Sequence, residues 1–265
     1  MREAVILVHG LWMGGWAMQG LRLLLSRRGF AATALDYRSM AQGLDEHTRR
    51  LAARIAELPQ PALHLVGHSL GGLVILRYLR TYGEQRIGRI VLLGSPVRSC
   101  MAGLRFANLA GGERLLGTSR DIWRSLPDDY RPQCELGVIA GSRPWGLGRL
   151  VMRLPGTNDG VVRLEETEVT GMRDRIVLSV SHSGMLASAR VAREVAAFLE
   201  RGAFDHDGHG ATDHGGREAT RHDGRGASDH DGCGASNHGG RESSSHDDRG
   251  ASDDGGRDSF KRERR

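Results

Sequence analysis

Lysine is almost missing from this chain: Lys261 is the single example among 37 basic residues, and the others are all arginine. Such a bias belongs to codon usage and carries no chemistry. Cysteine is scarce as well. Cys100, Cys134 and Cys233 include no CxxC pair, which argues against a disulfide framework and predicts a reducing compartment. No run of about 18 apolar residues occurs, so no transmembrane helix is predicted. The first residues lead straight into an apolar, strand-like segment, Ala4–Val8, with no leader and cleavage site before it. A cytoplasmic protein is expected.

The net charge of +5, with histidine neutral, is unevenly spread. Residues 1–201 hold 27 arginines against 18 acidic side chains, whereas residues 202–265 hold 10 basic and 14 acidic ones. A basic body could attract nucleic acid or anionic lipid. Its arginines are scattered rather than clustered, so a solvated surface without a nucleic-acid partner is expected.

Composition changes at the same place. Up to residue 201 the chain is rich in Leu, Val, Ile and Ala, and roughly 200 residues suffice to bury a sizeable core. From Asp205 it falls into seven octads, beginning DHDGHGAT, DHGGREAT and RHDGRGAS. A period this short, with no apolar position, cannot offset its own ordering entropy. Two parts follow: a folded body, 1–201, and a disordered low-complexity tail, 202–265. Removing everything after Gly202 is expected to leave the body intact. The tail's histidines stand too far apart on a flexible chain to hold a metal tightly, and no metal site is predicted.

Within the body, short apolar runs alternate with amphipathic segments, the rhythm of a parallel sheet. The runs are Ala4–Val8, Ala31–Asp36, Ala62–Val66, Ile87–Leu93, Glu135–Ala140 and Arg175–Val180. Each is nearly continuous in apolar character, as strands covered on both faces are. Helical patterns lie at Trp16–Arg28, Leu44–Leu58, Leu70–Tyr82 and Met185–Glu200, and Pro59 stops the second. Residues 97–133 read as one or two short helices, too short for a large cap. The expected architecture is a three-layer α/β/α sandwich with about six mostly parallel strands.

Four short motifs carry chemistry. Gly67-His68-Ser69-Leu70-Gly71-Gly72 follows one predicted strand and opens a predicted helix, the context a nucleophile elbow needs. Ser69 would sit at a strained turn with its hydroxyl clear of the sheet, above a helix N-terminus. Val8-His9-Gly10-Leu11-Trp12 follows the first strand. Acyl transfer generates a negative oxygen that needs two preorganised donors, and the backbone amides of Leu11 and Leu70 are placed to supply them.

The other two motifs supply a base and its partner. Asn158-Asp159-Gly160 lies beyond the fifth strand, and Ser181-His182-Ser183-Gly184 follows the last. The order Ser, Asp, His suits this architecture. His182 would take the proton of Ser69 and return it to the leaving group, while Asp159 holds the imidazole's tautomer. Asp128, Asp129, Glu165 and Glu166 are competing acids without the same position after a late strand. Trp12, Met13 and Trp16 are candidates for the acyl wall, with help from residues 97–126. Of the other histidines, His68 and His64 are expected to pack, His9 to brace its own loop, and His47 to lie on a solvated helix face.

VHGLW, GHSLGG, NDGVV and SHSGML, in this order, resemble the α/β-hydrolase superfamily, and more narrowly its compact, lidless bacterial esterases and lipases. The resemblance spans residues 4 to about 200. It implies a twisted parallel sheet with helices on both faces, in which the first strand here corresponds to the family's third. It also implies a serine hydrolase acting on small-molecule esters or lipids, without metal or organic cofactor. A thioesterase or amidase with the same triad is the alternative enzyme. A lipid- or partner-binding member without catalysis is the alternative from another class. Oligomeric state is not legible in the sequence.

Overall fold

Six strands form where apolar, β-branched residues are most concentrated: β1 (Ala4–Val8), β2 (Ala31–Leu35), β3 (Leu63–His68), β4 (Ile87–Leu93), β5 (Glu135–Gly141) and β6 (Asp174–Leu178). This is a computed structural model, and it describes residues 3–108, 130–145 and 154–206. The octad tail beyond His206, most of the predicted 97–133 helical region and the competing acids Asp128 and Asp129 lie outside the described residues.

The strands pair in parallel in the order β2-β1-β3-β4-β5-β6. Alternation along each strand sends side chains to two separate cores. Ile6, Val8 and Leu65 face one layer, formed by α2 (Leu44–Glu57) and α3 (Leu70–Tyr82). Val5, Leu7 and Val66 face the other, formed by α1 (Gln19–Arg27) and α5 (Ala189–Arg201). A further short helix, α4 (Met101–Ala107), follows β4. All five residues of β1 are buried, which is why this strand shows no polar alternation. The three-layer sandwich expected from the sequence is the one observed.

Two helical patterns are interrupted. The stretch read as Trp16–Arg28 begins with a tight 3-10 turn, Gly15–Met18, before α1. The stretch read as Met185–Glu200 splits into a 3-10 turn, Ser183–Ala187, and α5. Ser188 causes the break: its backbone is extended, and its hydroxyl accepts the Val191 amide at 3.3 Å as an N-cap. Packing continues past Arg201 to His206, with Gly202 in a left-handed turn and Phe204 buried against Phe198.

His47 departs from expectation. It is fully buried, with its ring 4.5 Å from that of Tyr37. The reason is helical spacing: position 47 falls between Leu44 and Leu51 on the apolar stripe of α2 and turns inward with them.

The chain runs from β1 out to the edge strand β2 and returns to β3 on the other side of β1. Such a reversal opens a crevice at the carboxyl ends of the two central strands. The loop after β1 and the turn after β3 both end there.

Candidate active site

Ser69 is the one-residue joint between β3 and α3, with φ 55° and ψ −121°. A side chain rarely tolerates that region, so the surroundings must hold it there. They do so from two sides. The Ser69 amide donates to the Leu93 carbonyl of β4 at 2.9 Å, and the Gly72 amide donates to the Ser69 carbonyl at 3.1 Å. The joint also demands close backbone approach. A Cβ on Gly71 would lie 2.1 Å from the Val8 carbonyl oxygen, and one on Gly67 would lie 2.6 Å from the Gly72 nitrogen. Neither position tolerates a side chain, which accounts for the glycines on each side of the serine.

Asp159 and His182, 23 residues apart, meet in the loops after β5 and β6. Asp159 Oδ2 lies 2.7 Å from His182 Nδ1. The backbone repeats the link, since the His182 amide donates to the Asp159 carbonyl at 2.9 Å. Asp159 Oδ1 accepts the amides of Val161 and Val162 at 2.9 and 2.7 Å. Burial opposes ionisation of this carboxyl, but His182 and the two amides outweigh it and hold Asp159 below the usual carboxylate range. An ionised Asp159 only accepts, so Nδ1 of His182 carries a proton, and in the neutral ring the lone pair falls on Nε2.

The same corner holds Ser69. Gly94 follows β4 directly, and a Cβ there would stand 2.9 Å from Asp159 Oδ2 and 3.2 Å from His182 Nδ1. His68, next to Ser69, has its ring 4.6 Å from that of His182. Sequence reasoning assigned His68 to packing alone. The structure adds a hydrogen bond, from His68 Nε2 to the carbonyl oxygen of His182 at 3.0 Å.

On the opposite side is the loop after β1. Leu11 packs partly buried against the α2–α3 core, and Leu70 is fully buried as the first residue of α3. Among the described residues, neither amide is taken up by a backbone acceptor. His9 braces this loop as expected. Its Nδ1 lies 2.9 Å from the Gly10 carbonyl oxygen, its ring stacks on Tyr37 at 4.0 Å, and Tyr37 donates to its carbonyl at 2.5 Å. Trp12 has φ 59°, and among the described residues it and Ser69 are the positive-φ residues other than glycine. The two strained residues adjoin the two candidate donors, Leu11 and Leu70. Residue type gave no warning of the strain at Trp12.

The three candidates for the acyl wall separate. Trp12 is half exposed and meets Phe106 of α4 edge-on at 5.5 Å, so it lies between the loop after β1 and the segment after β4. Met13 packs against the α1–α5 core. Trp16 instead lines a groove with Gln19, Arg22, Thr33 and Asp36 along the edge strand β2, two strands away from β3. Of the competing acids, Glu165 is exposed beside Arg163. Glu166 is buried but already engaged, by the amides of Met101 at 2.6 Å and Arg163 at 2.8 Å. Its work is to tie the segment after β4 to the loop before β6.

An elbow at the end of β3, served by loops after β1, β5 and β6, is the arrangement of α/β hydrolases. The chain belongs to that group: the sequence profile of the alpha/beta hydrolase family matches residues 5–211. Among curated proteins, the probable esterase PIR7A of Oryza sativa subsp. indica is 27% identical over 135 residues, and its counterpart in subsp. japonica matches equally. The match takes in 47% of this chain and about half the length, 47%, of those relatives. Among solved structures, the mature lipase BlEst2 of Bacillus licheniformis superposes with a TM-score of 0.62 at 19% identity, over 75% of this chain and 91% of that one. The metagenomic carboxyl esterase MGS0156 gives 0.59 at 18% identity, over 75% of each chain. At such identities the likeness is one of fold.

Proposed function

We propose that this chain is a serine hydrolase that cleaves carboxylic esters through an acyl-Ser69 intermediate. One observation carries the reading: the 2.7 Å bond from Asp159 to His182, in the corner where the strained elbow presents Ser69. In this reading His182 Nε2 takes the Ser69 proton as Oγ attacks the ester carbonyl. The oxygen that becomes negative rests on the amides of Leu11 and Leu70, each worth on the order of 3 kcal/mol of barrier. Collapse expels the alcohol, which leaves with the proton from His182. Water then repeats the cycle against the acyl-enzyme and restores Ser69.

Family membership and the esterase and lipase names among the similar proteins support a hydrolase. Trp12 and Phe106 supply an apolar wall for a small or medium acyl group. The test is activity-based labelling. A fluorophosphonate probe should label the wild-type protein and leave Ser69→Ala unlabelled, and p-nitrophenyl ester turnover should vanish in the same variant. Full labelling of Ser69→Ala would overturn the assignment.

A further inference from the structure

The elbow histidine does more than fill space. His182 is tied to Asp159 twice, through its amide and through Nδ1, at 2.9 and 2.7 Å. Those bonds fix the base against the acid. They do not fix it against the nucleophile, which sits on another strand. His68 supplies that second tie, because it adjoins Ser69 in the chain and its Nε2 donates to the His182 carbonyl at 3.0 Å. We propose that His68 is a positioning residue, whose bond to the main chain of His182 sets the spacing between Ser69 and the general base. This role rests on the serine hydrolase reading above.

The details fit a fixed, uncharged strut. A carbonyl oxygen only accepts, so the proton of His68 resides on Nε2 and Nδ1 carries the lone pair. Nδ1 has no hydrogen-bond partner among the described residues, and it faces Gly10, where a Cβ would come within 3.1 Å. The ring is completely buried. Burial lowers its pKa to about 3, with the neighbouring His182 adding to the effect, so the ring stays neutral in the working range. No second positive charge therefore stands beside His182 when its imidazolium forms. The leverage on rate is large, since misplacing a reacting group by about 1 Å can cost on the order of 10²-fold.

Two substitutions separate the bond from the bulk. His68→Phe keeps an aromatic ring and removes the donor. His68→Gln removes the ring but can place an amide N–H where Nε2 stands. We expect His68→Phe to lower kcat and the rate of fluorophosphonate labelling by about tenfold or more, with KM for a p-nitrophenyl ester within about twofold. His68→Gln should recover most of both rates, whatever its melting temperature. If His68→Phe does not fold, His68→Asn takes its place, because its amide ends short of the Nε2 position. Equal rates in the donor and donor-less variants, whether high or low, would overturn the role. Ser69→Ala run alongside keeps the two readings apart. If it is inert while the His68 variants are equal, only the strut falls; if it still labels, the hydrolase reading falls first.

Discussion

Asp159 divides its carboxylate between two tasks: Oδ2 meets His182 Nδ1 at 2.7 Å, while Oδ1 receives the amides of Val161 and Val162. In the proposed mechanism the first contact serves the chemistry and the second holds the loop, so a single substitution can divide them. Asn at this position keeps an oxygen for the two amides and turns an N–H toward Nδ1. That reverses the imidazole's tautomer and leaves the base without a lone pair at Nε2. We expect Asp159→Asn to lose on the order of 10⁴-fold in kcat. Its melting temperature should fall less than that of Asp159→Ala, which frees both amides. Steady-state kinetics and thermal melts of the two variants check this, and near-normal turnover in Asp159→Asn would remove the residue from the triad.

Acid should unfold the protein from an unusually high pH. His9, His47 and His68 are fully buried, and burial is the leading cause that lowers all three pKa values. An unfolded chain protonates its histidines near pH 6.5. Below that point the unfolded state binds protons that the folded state refuses, so stability is intact above about 6.5 and declines as pH falls. Each such group contributes up to about 1.4 kcal/mol per pH unit until its folded pKa is reached. Asp159, held low in the fold, adds loss of the same sign at lower pH still. Urea titrations at pH 7.5, 6.5 and 5.5 should show a midpoint that falls slightly over the first interval and about three times as far over the second. His47→Phe, which removes one of the three imidazoles, should reduce that drop.

What the sequence discloses and what it hides follow a physical division. The strands were legible because both faces of the sheet are covered, so segments such as β1 are apolar at every position. The meeting of Asp159 with His182, and the strained turn at Ser69, were legible because each residue follows a strand in a short motif with a glycine one or two positions away. The hidden features depend on pairings remote in the chain. His68 and His182 are 114 positions apart, and no local pattern shows that one ring reaches the other's carbonyl. Trp16 was assigned by its aromatic type, yet the 3-10 turn that carries it faces the edge strand β2. Where His47 is concerned the signal was present, as inward spacing on α2, and polar character masked it.

Truncation should locate the end of the folded body. Composition places the change near residue 201, but Phe204 is 5% exposed, its ring lies 4.9 Å from Phe198, and its amide donates to Asp174 at 2.8 Å. Deleting the chain after His206 should leave melting temperature and ester hydrolysis within error of the full-length protein. Deleting it after Gly202 discards Phe204, and losing a buried Phe side chain costs about 3–5 kcal/mol. For a body of this size that corresponds to a fall of roughly 10 °C. Equal melting temperatures for the two truncations would show that Phe204 contributes nothing to the core.

Trp12 offers a way to weigh backbone strain against side-chain contact within one residue. Its φ of 59° is disfavoured for any residue with a Cβ, whereas glycine adopts it freely. Its ring, edge-on to Phe106, is worth about 1 kcal/mol. Trp12→Ala loses the ring and keeps the strain; Trp12→Gly loses both. The glycine variant should therefore melt about 2–4 °C above the alanine variant, the difference expected from roughly 1 kcal/mol of relieved strain. If Trp12 also lines the acyl site, the two variants should show the same rise in KM for a butyrate ester, because each lacks the indole. A glycine variant no more stable than the alanine one would mean that this turn is held without strain. A rise in KM confined to one of them would mean that the loop's conformation, rather than the indole, shapes the acyl pocket.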